Sequence, residues 1–417
     1  LKKQTCYNNK QYLLKKVANI VCRFFTMNRN IVHIDLDTFF VSVERLQNSM
    51  LIGKPVLVGG SGDRGVVASC SYEARQFGIH SAMPIKTARQ LCPDAIVVRG
   101  DAETYSKYSQ IITEIIKEEV PLYEKTSIDE FYMDLTGMEH FFGCYQLAGH
   151  IRERVIKETG LPISFALSSN KTVSKVGTGE AKPNGHKHIA YGEEKSFLAP
   201  LSIKKIPMVG DKTYYMLRGM GVERIHTLQQ MPPDLLTRVL GENGLMIWKK
   251  ANGQDESPVV PYSERKSIST EQTFEKDTID VQMLKAMLVS MAEKLAFQLR
   301  SEEKLAGCIA IKIRYADFNT YSQQVRIPYT SLDHVLIEKA KEMFDKLYNK
   351  RMLIRLIGIR LSHLVHGSHQ YRLFENMERQ IQLYEAMDKM RQRFGNDAVK
   401  RAVGMDIKYH DFNAFKG

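Results

Sequence analysis

No run of 18 or more apolar residues occurs in this 417-residue sequence, so no segment has the length of a membrane-spanning helix. The six cysteines, Cys6, Cys22, Cys70, Cys92, Cys144 and Cys308, never fall in a Cys-x-x-Cys spacing. Their scatter argues against a zinc site or a disulfide framework and for a reducing, cytoplasmic setting. No repeat or low-complexity tract stands out, which sets aside solenoids and fibrous chains. Acidic residues are missing from positions 1–26, which hold six Lys/Arg and therefore half of the net charge of +12. Lys15 and Lys16 break up any apolar core there, so the segment is a poor secretory signal. We expect the structured protein to begin near Met27, with residues 1–26 a basic N-terminal extension.

What is present suits a multidomain protein. Hydrophobic residues make up 43% and charged residues 25%, ordinary values for a folded chain, and the length implies about three or four domains. A pI near 9.2 fits a polyanionic partner such as nucleic acid. Ile31 to Ile34, Pro55 to Gly60, Gly65 to Cys70, Ile128 to Leu135 and Leu161 to Ser168 read as strands. Helical patterns follow the first of these through Leu46, open at Tyr72, and cover 101–119, 145–158 and 170–180. The alternation predicts an α+β core with a small unit inserted at about 41–99. Residues 206–221 look like a helix-hairpin-helix, whose loop amides bind backbone phosphate. The polar stretch 254–266, with Pro258 and Pro261, reads as a linker. Residues 267–366 alternate strand and helix again. A tail follows with one amphipathic helix, in which Leu383, Met387, Met390 and Phe394 recur at spacings of four, three and four.

Two acidic clusters about ninety residues apart carry the strongest chemical signal. Asp35-Leu36-Asp37 is followed by Thr38-Phe39-Phe40, and Ser127-Ile128 by Asp129-Glu130. Each sets carboxylates in or beside an apolar strand, where an unpaired charge is costly. A shared pair of divalent cations removes that cost and suits phosphoryl transfer, since it clamps both the attacking and the leaving oxygen. Neighbouring strand residues point to opposite faces, so Asp129 and Glu130 converge only if one lies at a strand end or distortion. Asp37 reads as exposed or as capping the next helix.

Together with Ala68-Ser69-Cys70-Ser71-Tyr72-Glu73-Ala74-Arg75 and Lys182-Pro183-Asn184-Gly185, these clusters make the sequence resemble the Y-family of translesion DNA polymerases, in its bacterial DinB class. The resemblance runs from about Met27 onward. It implies an α+β multidomain fold: a ferredoxin-like palm at 27–40 and 100–190, small fingers at 41–99, a helix-hairpin-helix thumb at 191–257, a linker at 258–266, an α/β little-finger domain at 267–366 and a tail at 367–417. It implies low-fidelity, template-directed DNA synthesis past damage, without proofreading. Asp35, Asp129 and Glu130 match the carboxylates that hold two Mg²⁺ per active site, and Leu36 would add its backbone carbonyl.

By the same resemblance, Ser69, Tyr72, Arg75 and Lys182 contact the incoming nucleotide, with Arg offering a planar fork and Lys a point charge. Phe40 matches the steric gate against a ribose 2′-hydroxyl, and Phe39 packs beside it. Val66 and Ala68 form the roof over the templating base. Gly210, Lys212, Lys171 and Lys175 are the candidate DNA contacts. Gln370, Leu373 and Phe374 resemble a sliding-clamp peptide, although some forty residues follow it. The implied partners are primer–template DNA, deoxynucleoside triphosphates and the clamp, with no membrane, and the chain is expected to be a monomer. Two rivals differ in class. A two-metal nucleotide cyclase has no use for a phosphate-binding hairpin, and a non-catalytic DNA-binding scaffold has no use for all three carboxylates beside Tyr72, Arg75 and Lys182.

Overall fold

A computed structural model describes residues 28–404, except 61, 63, 141–142, 262, 350, 368–376 and 396–397. The chain divides into two compact units between residues 262 and 263.

The first unit starts with β1 (Ile31–Leu36) and α1 (Phe39–Gln47). Next come β2 (Val56–Gly59), β3 (Val67–Cys70), α2 (Tyr72–Arg75), α3 (Ile85–Leu91) and β4 (Ile96–Val98). The chain continues through α4 (Ala102–Glu119), β5 (Tyr123–Lys125), β6 (Glu130–Asp134), α5 (Cys144–Thr159), β7 (Ile163–Ser168), α6 (Lys171–Ala181) and β8 (His186–His188). The main sheet has the order β5-β6-β1-β7-β8 and places β1 at its centre. Both neighbours of β1 run antiparallel to it. Val32, Ile34 and Leu36 point into a core shared with Ile112, Ile116, Ala148 and Ile151 of α4 and α5. The alternate residues His33 and Asp35 therefore face the other way. That is the side of α6, whose Thr178 hydroxyl donates to the His33 carbonyl. Burial on both faces is why the strand reads as an almost unbroken apolar run.

A smaller sheet of order β3-β2-β4 carries the inserted residues. Gly59 is needed there, because a Cβ would lie 2.3 Å from the Val66 carbonyl oxygen. The unit closes with α7 (Glu194–Leu198), α8 (Asp211–Gly219), α9 (Ile225–Gln230), α10 (Pro233–Leu240) and α11 (Glu242–Ala251). These helices bury Leu198, Leu217, Leu228, Leu236 and Ile247 together. Asp101 and Asn170 cap α4 and α6 with their side chains, which fixes where both helices begin.

The segment predicted as a loose linker is pinned down over its first half. Asp255 accepts from Thr172 N and Oγ1 at 3.1 and 2.6 Å and from Lys250 at 3.2 Å. Val259 is buried against Ile31 and Tyr132, and Val260 N donates to Glu124 at 2.8 Å.

The second unit holds β9 (Ser267–Thr278), α12 (Val281–Ser301), β10 (Lys304–Tyr315), β11 (Thr320–Thr330), α13 (Asp333–Leu347), β12 (Ile354–His366) and α14 (Met377–Phe394). Its sheet runs β11-β10-β12-β9, entirely antiparallel. Helices α12 and α13 cover one face. The tail helix α14 packs here too, but not by the predicted stripe. Leu383, Met390 and Phe394 are exposed, while Tyr384, Asp388 and Arg391 are buried. The largely enclosed Arg300 of α12, its side chain 12% exposed, decides this. It donates to Asp388 at 2.5 and 2.9 Å and to Asp333 at 2.6 Å, and stacks on the Tyr384 ring. Cys70, Cys92, Cys144 and Cys308 are free and buried.

Candidate active site

Strand register brings the two acidic clusters together. Asp35 sits directly opposite Glu130, and Leu36 N donates to the Asp129 carbonyl at 3.1 Å. The predicted strand Ile128–Leu135 is shorter than expected. It begins at Glu130, so Asp129 lies in the turn just ahead of it. This is the strand end that lets two consecutive carboxylates face one place. Burial raises the Asp35 carboxyl to about 7 against the opposing pull of Lys182, and the charges of Asp129 and Glu130 push in the same direction as burial. Asp129 is also raised, by burial and then by Glu130, although a hydrogen bond from Ser127 Oγ works against the shift. Each carboxylate is held by a different neighbour. Lys182 Nζ donates to Asp35, Ser127 to Asp129 at 2.5 Å, and Lys175 to Glu130 at 2.8 and 2.6 Å. As the side chains are placed, no three acidic, histidine or cysteine groups among the described residues converge at metal-ligand distance. His33, two residues before Asp35, is fully buried and edge-on to Tyr132 at 4.7 Å. Burial and then Lys175, Lys182 and Lys171 hold its pKa well below the usual histidine value, so the ring is neutral.

Asp37 is neither exposed nor a helix cap. It is 1% exposed, and the N-cap of α1 is Thr38. Asp37 lies in the turn just past the end of β1, where the neighbouring segments close over it. The Asp37 Oδ2 accepts from Ser164 Oγ at 2.7 Å and Asn184 N at 2.6 Å. Its Oδ1 lies 3.5 Å from the Tyr72 hydroxyl and 3.6 Å from Lys182 Nζ. Thr38 takes φ 44°, an unusual conformation for a β-branched residue. It turns the chain sharply from β1 into α1.

That turn places Phe39 and Phe40 side by side. Phe39 is 2% and Phe40 8% exposed. Phe40 stacks on Tyr105 at 4.5 Å between centroids, and the Tyr105 hydroxyl donates to the buried Glu44. Tyr72 and Arg75 share α2, with the guanidinium 5.0 Å from the ring centroid. Burial and then the Asp37 charge push the Tyr72 hydroxyl up to about 12, so it is a donor at neutral pH. Ser69 is nearly buried on β3, while Val66 is 42% exposed just before it.

The lysines proposed as DNA contacts are turned inward. Lys171 donates to Glu124 at 2.9 and 2.7 Å and lies over the Tyr132 ring, while Lys175 holds Glu130. Both ammoniums are therefore ion-paired within the protein, Lys171 largely enclosed and Lys175 partly exposed. Gly210 and Lys212 stand exposed at the start of α8. Gln370, Leu373 and Phe374 lie outside the described residues. Among the described residues, no helix is long and apolar enough to cross a membrane.

Paired carboxylates at the centre of a palm sheet, small fingers and a helical thumb in the first unit, and a separate sheet domain in the second, define a nucleotidyl-transferring polymerase fold. Residues 34–179 match the impB/mucB/samB family and residues 265–373 that family's C-terminal domain. The chain is 38% identical to the DNA polymerase IV of Dehalococcoides mccartyi strain CBDB1 over 376 residues, 89% of this chain and 96% of that protein. It is 36% identical to the DNA polymerase IV of Treponema denticola over 329 residues, 78% and 83% of the two chains. Among solved structures, a Y-family DNA polymerase chimera of Dbh and Dpo4 superposes with a TM-score of 0.72 at 25% identity, covering 81% of this chain and all of the chimera. The chain belongs to the Y-family of DNA polymerases, in its DNA polymerase IV (DinB) branch. It is a DNA-directed DNA polymerase of the translesion type.

Proposed function

We propose that Asp35, Asp129 and Glu130, with the Leu36 carbonyl, hold two Mg²⁺ and that the chain extends primers by nucleotidyl transfer at that site. The observation that carries this is the crowding of three carboxylates, Asp35 directly opposite Glu130 and Asp129 in the turn just ahead of it, with Asp35 pushed to about 7. Hard, anionic oxygen donors crowded together fit a small divalent cation. Glu130 and Asp35, now paired with Lys175 and Lys182, would exchange those partners for the cations. When bound, the ions would activate the primer 3′-hydroxyl and neutralise the triphosphate.

The chain's own residues do the rest. Tyr72, Arg75 and Lys182 hold the phosphates, and Ser69 lines the same pocket. The Phe40 ring excludes a 2′-hydroxyl, while Val66 and Ala68 form a small roof that tolerates a distorted template base. The palm is assigned to 27–40 and 100–190, the fingers to 41–99, the thumb to 191–257 and the little finger to 267–366. The thumb amides around Gly210, with Lys212, contact primer–template phosphates.

Primer extension tests the site. Asp129→Ala and Glu130→Ala should each abolish extension while primer–template affinity stays near that of the parent, because charge stabilisation is lost and phosphate contacts remain. Robust extension by both variants rejects the assignment. The sliding clamp is the further proposed partner, through Gln370, Leu373 and Phe374. Replacing Leu373 and Phe374 with Ala should remove clamp-dependent processivity and leave distributive extension unchanged. Equal clamp affinity of variant and parent counts against it.

A further inference from the structure

Asp37 is the one buried carboxylate at the site to which the two-cation reading gives no task. Its two oxygens face different segments of the chain. Oδ2 accepts from Ser164 of β7 and from the backbone N–H of Asn184, in the loop after Lys182. That loop is held from its other side by Arg152, which donates to the Asn184 carbonyl and side chain at 3.0 and 2.7 Å. Oδ1 faces Tyr72 at 3.5 Å and Lys182 at 3.6 Å. One side of the carboxylate is therefore occupied by the palm, and the other by two of the three groups assigned to the triphosphate. With the carboxylate 1% exposed, water cannot take its place.

We propose that Asp37 is a positioning residue for nucleotide binding: one oxygen anchors the Lys182–Gly185 loop to the palm, and the other aims the Tyr72 hydroxyl and the Lys182 ammonium at the triphosphate. The inference rests on the assignment of Tyr72 and Lys182 to the triphosphate. It adds that the fingers residue and the palm loop are set by a common carboxylate and do not act independently. Long-range effects of this sort are steep, since a small misplacement of a phosphate-gripping group costs a large rate factor.

The chemistry of the amide makes Asp37→Asn a selective probe. The amide oxygen can still accept from Ser164 and Asn184, so the loop stays anchored. Its NH₂ then faces two donors, Tyr72 and Lys182, and can accept from neither. Single-nucleotide insertion should show KM for the deoxynucleotide raised about tenfold, with kcat within about threefold and primer–template affinity unchanged. A purely structural role would not split the two constants this way.

The second arm repeats the substitution in a Tyr72→Phe/Lys182→Ala background. There Asp37→Asn should add almost nothing to KM, because its two targets are gone. A KM within twofold of the parent in the single variant, or a full tenfold effect in the double background, overturns the inference alone. If Tyr72→Phe/Lys182→Ala by itself leaves KM unchanged, the triphosphate assignment fails and the inference falls with it. Thermal melting of every variant separates these outcomes from loss of fold. A variant that melts far below the parent and loses kcat and KM together shows Asp37 to be structural, which also overturns the inference.

Discussion

Phe39 and Phe40 are adjacent in sequence and both largely buried, and the proposed function gives them different tasks. Both belong to the palm core, where Phe40 lies flat on Tyr105 and is the less enclosed of the two, at 8% exposed against 2% for Phe39. Phe40→Val should raise ribonucleotide insertion strongly and change deoxynucleotide insertion only modestly, because an overlap is relieved and no attraction to the correct sugar is lost. Phe39→Ala should instead cost about 3–5 kcal/mol of stability, as for other core rings. Insertion of UTP against dTTP, with melts of both variants, checks this. Unchanged sugar discrimination in Phe40→Val would move the gate elsewhere. Asp35, Asp129 and Glu130 were legible because carboxylates beside apolar strands are conspicuous. Asp37 was misjudged because its partners, Ser164 and Asn184, are more than a hundred residues away in sequence. The inward turn of Lys171 was hidden for the same reason: only the folded sheet brings Glu124 beside it.

Segment 254–261 shows how an element's composition can mislead. Prolines and polar residues announce a linker, but Asp255 makes the stretch a fastening on the palm. Burial alone would raise the Asp255 carboxyl. Hydrogen bonds from Ser257 and Thr172 and the charge of Lys250 overcome that and lower it to about 2 from an ordinary 3.8. A depressed carboxyl binds protons less tightly folded than unfolded. Its contribution is thus complete above the unfolded value and fades as pH falls from about 4 toward 2. At neutral pH it amounts to about 2 kcal/mol. Asp255→Asn should lose about that much at pH 7, and the gap to the parent should close in acid. Denaturant titrations across that range measure it, and a gap independent of pH would show that the carboxylate's charge is immaterial. Helix α14 misled in the opposite way. Its apolar spacing is genuine, but a largely enclosed arginine bonded to two aspartates and stacked on a tyrosine outweighs three exposed apolar side chains. Spacing cannot reveal a partner carried by another helix.

At the scale of the whole chain, the order of strands and helices was readable because their periods alternate cleanly, and the polar stretch 254–266 falls where the chain divides into its two units. The charge was readable too. If the grip on DNA is mainly through phosphates, affinity for primer–template should fall at least about tenfold between 50 and 200 mM salt and vary little with sequence. Fluorescence anisotropy on unrelated duplexes measures both, and a flat salt response would contradict the assignment. The buried cysteines carry a last consequence. Burial raises the Cys70 thiol, with Arg75 only partly offsetting it, and raises Cys144 as well. The thiolate is the form that electrophiles and peroxides attack. Sulfurs that are both enclosed and protonated are poor targets for alkylating and oxidising agents. An enzyme that copies DNA after chemical attack meets the same reagents as its template, and Cys70 and Cys144 give them little to react with.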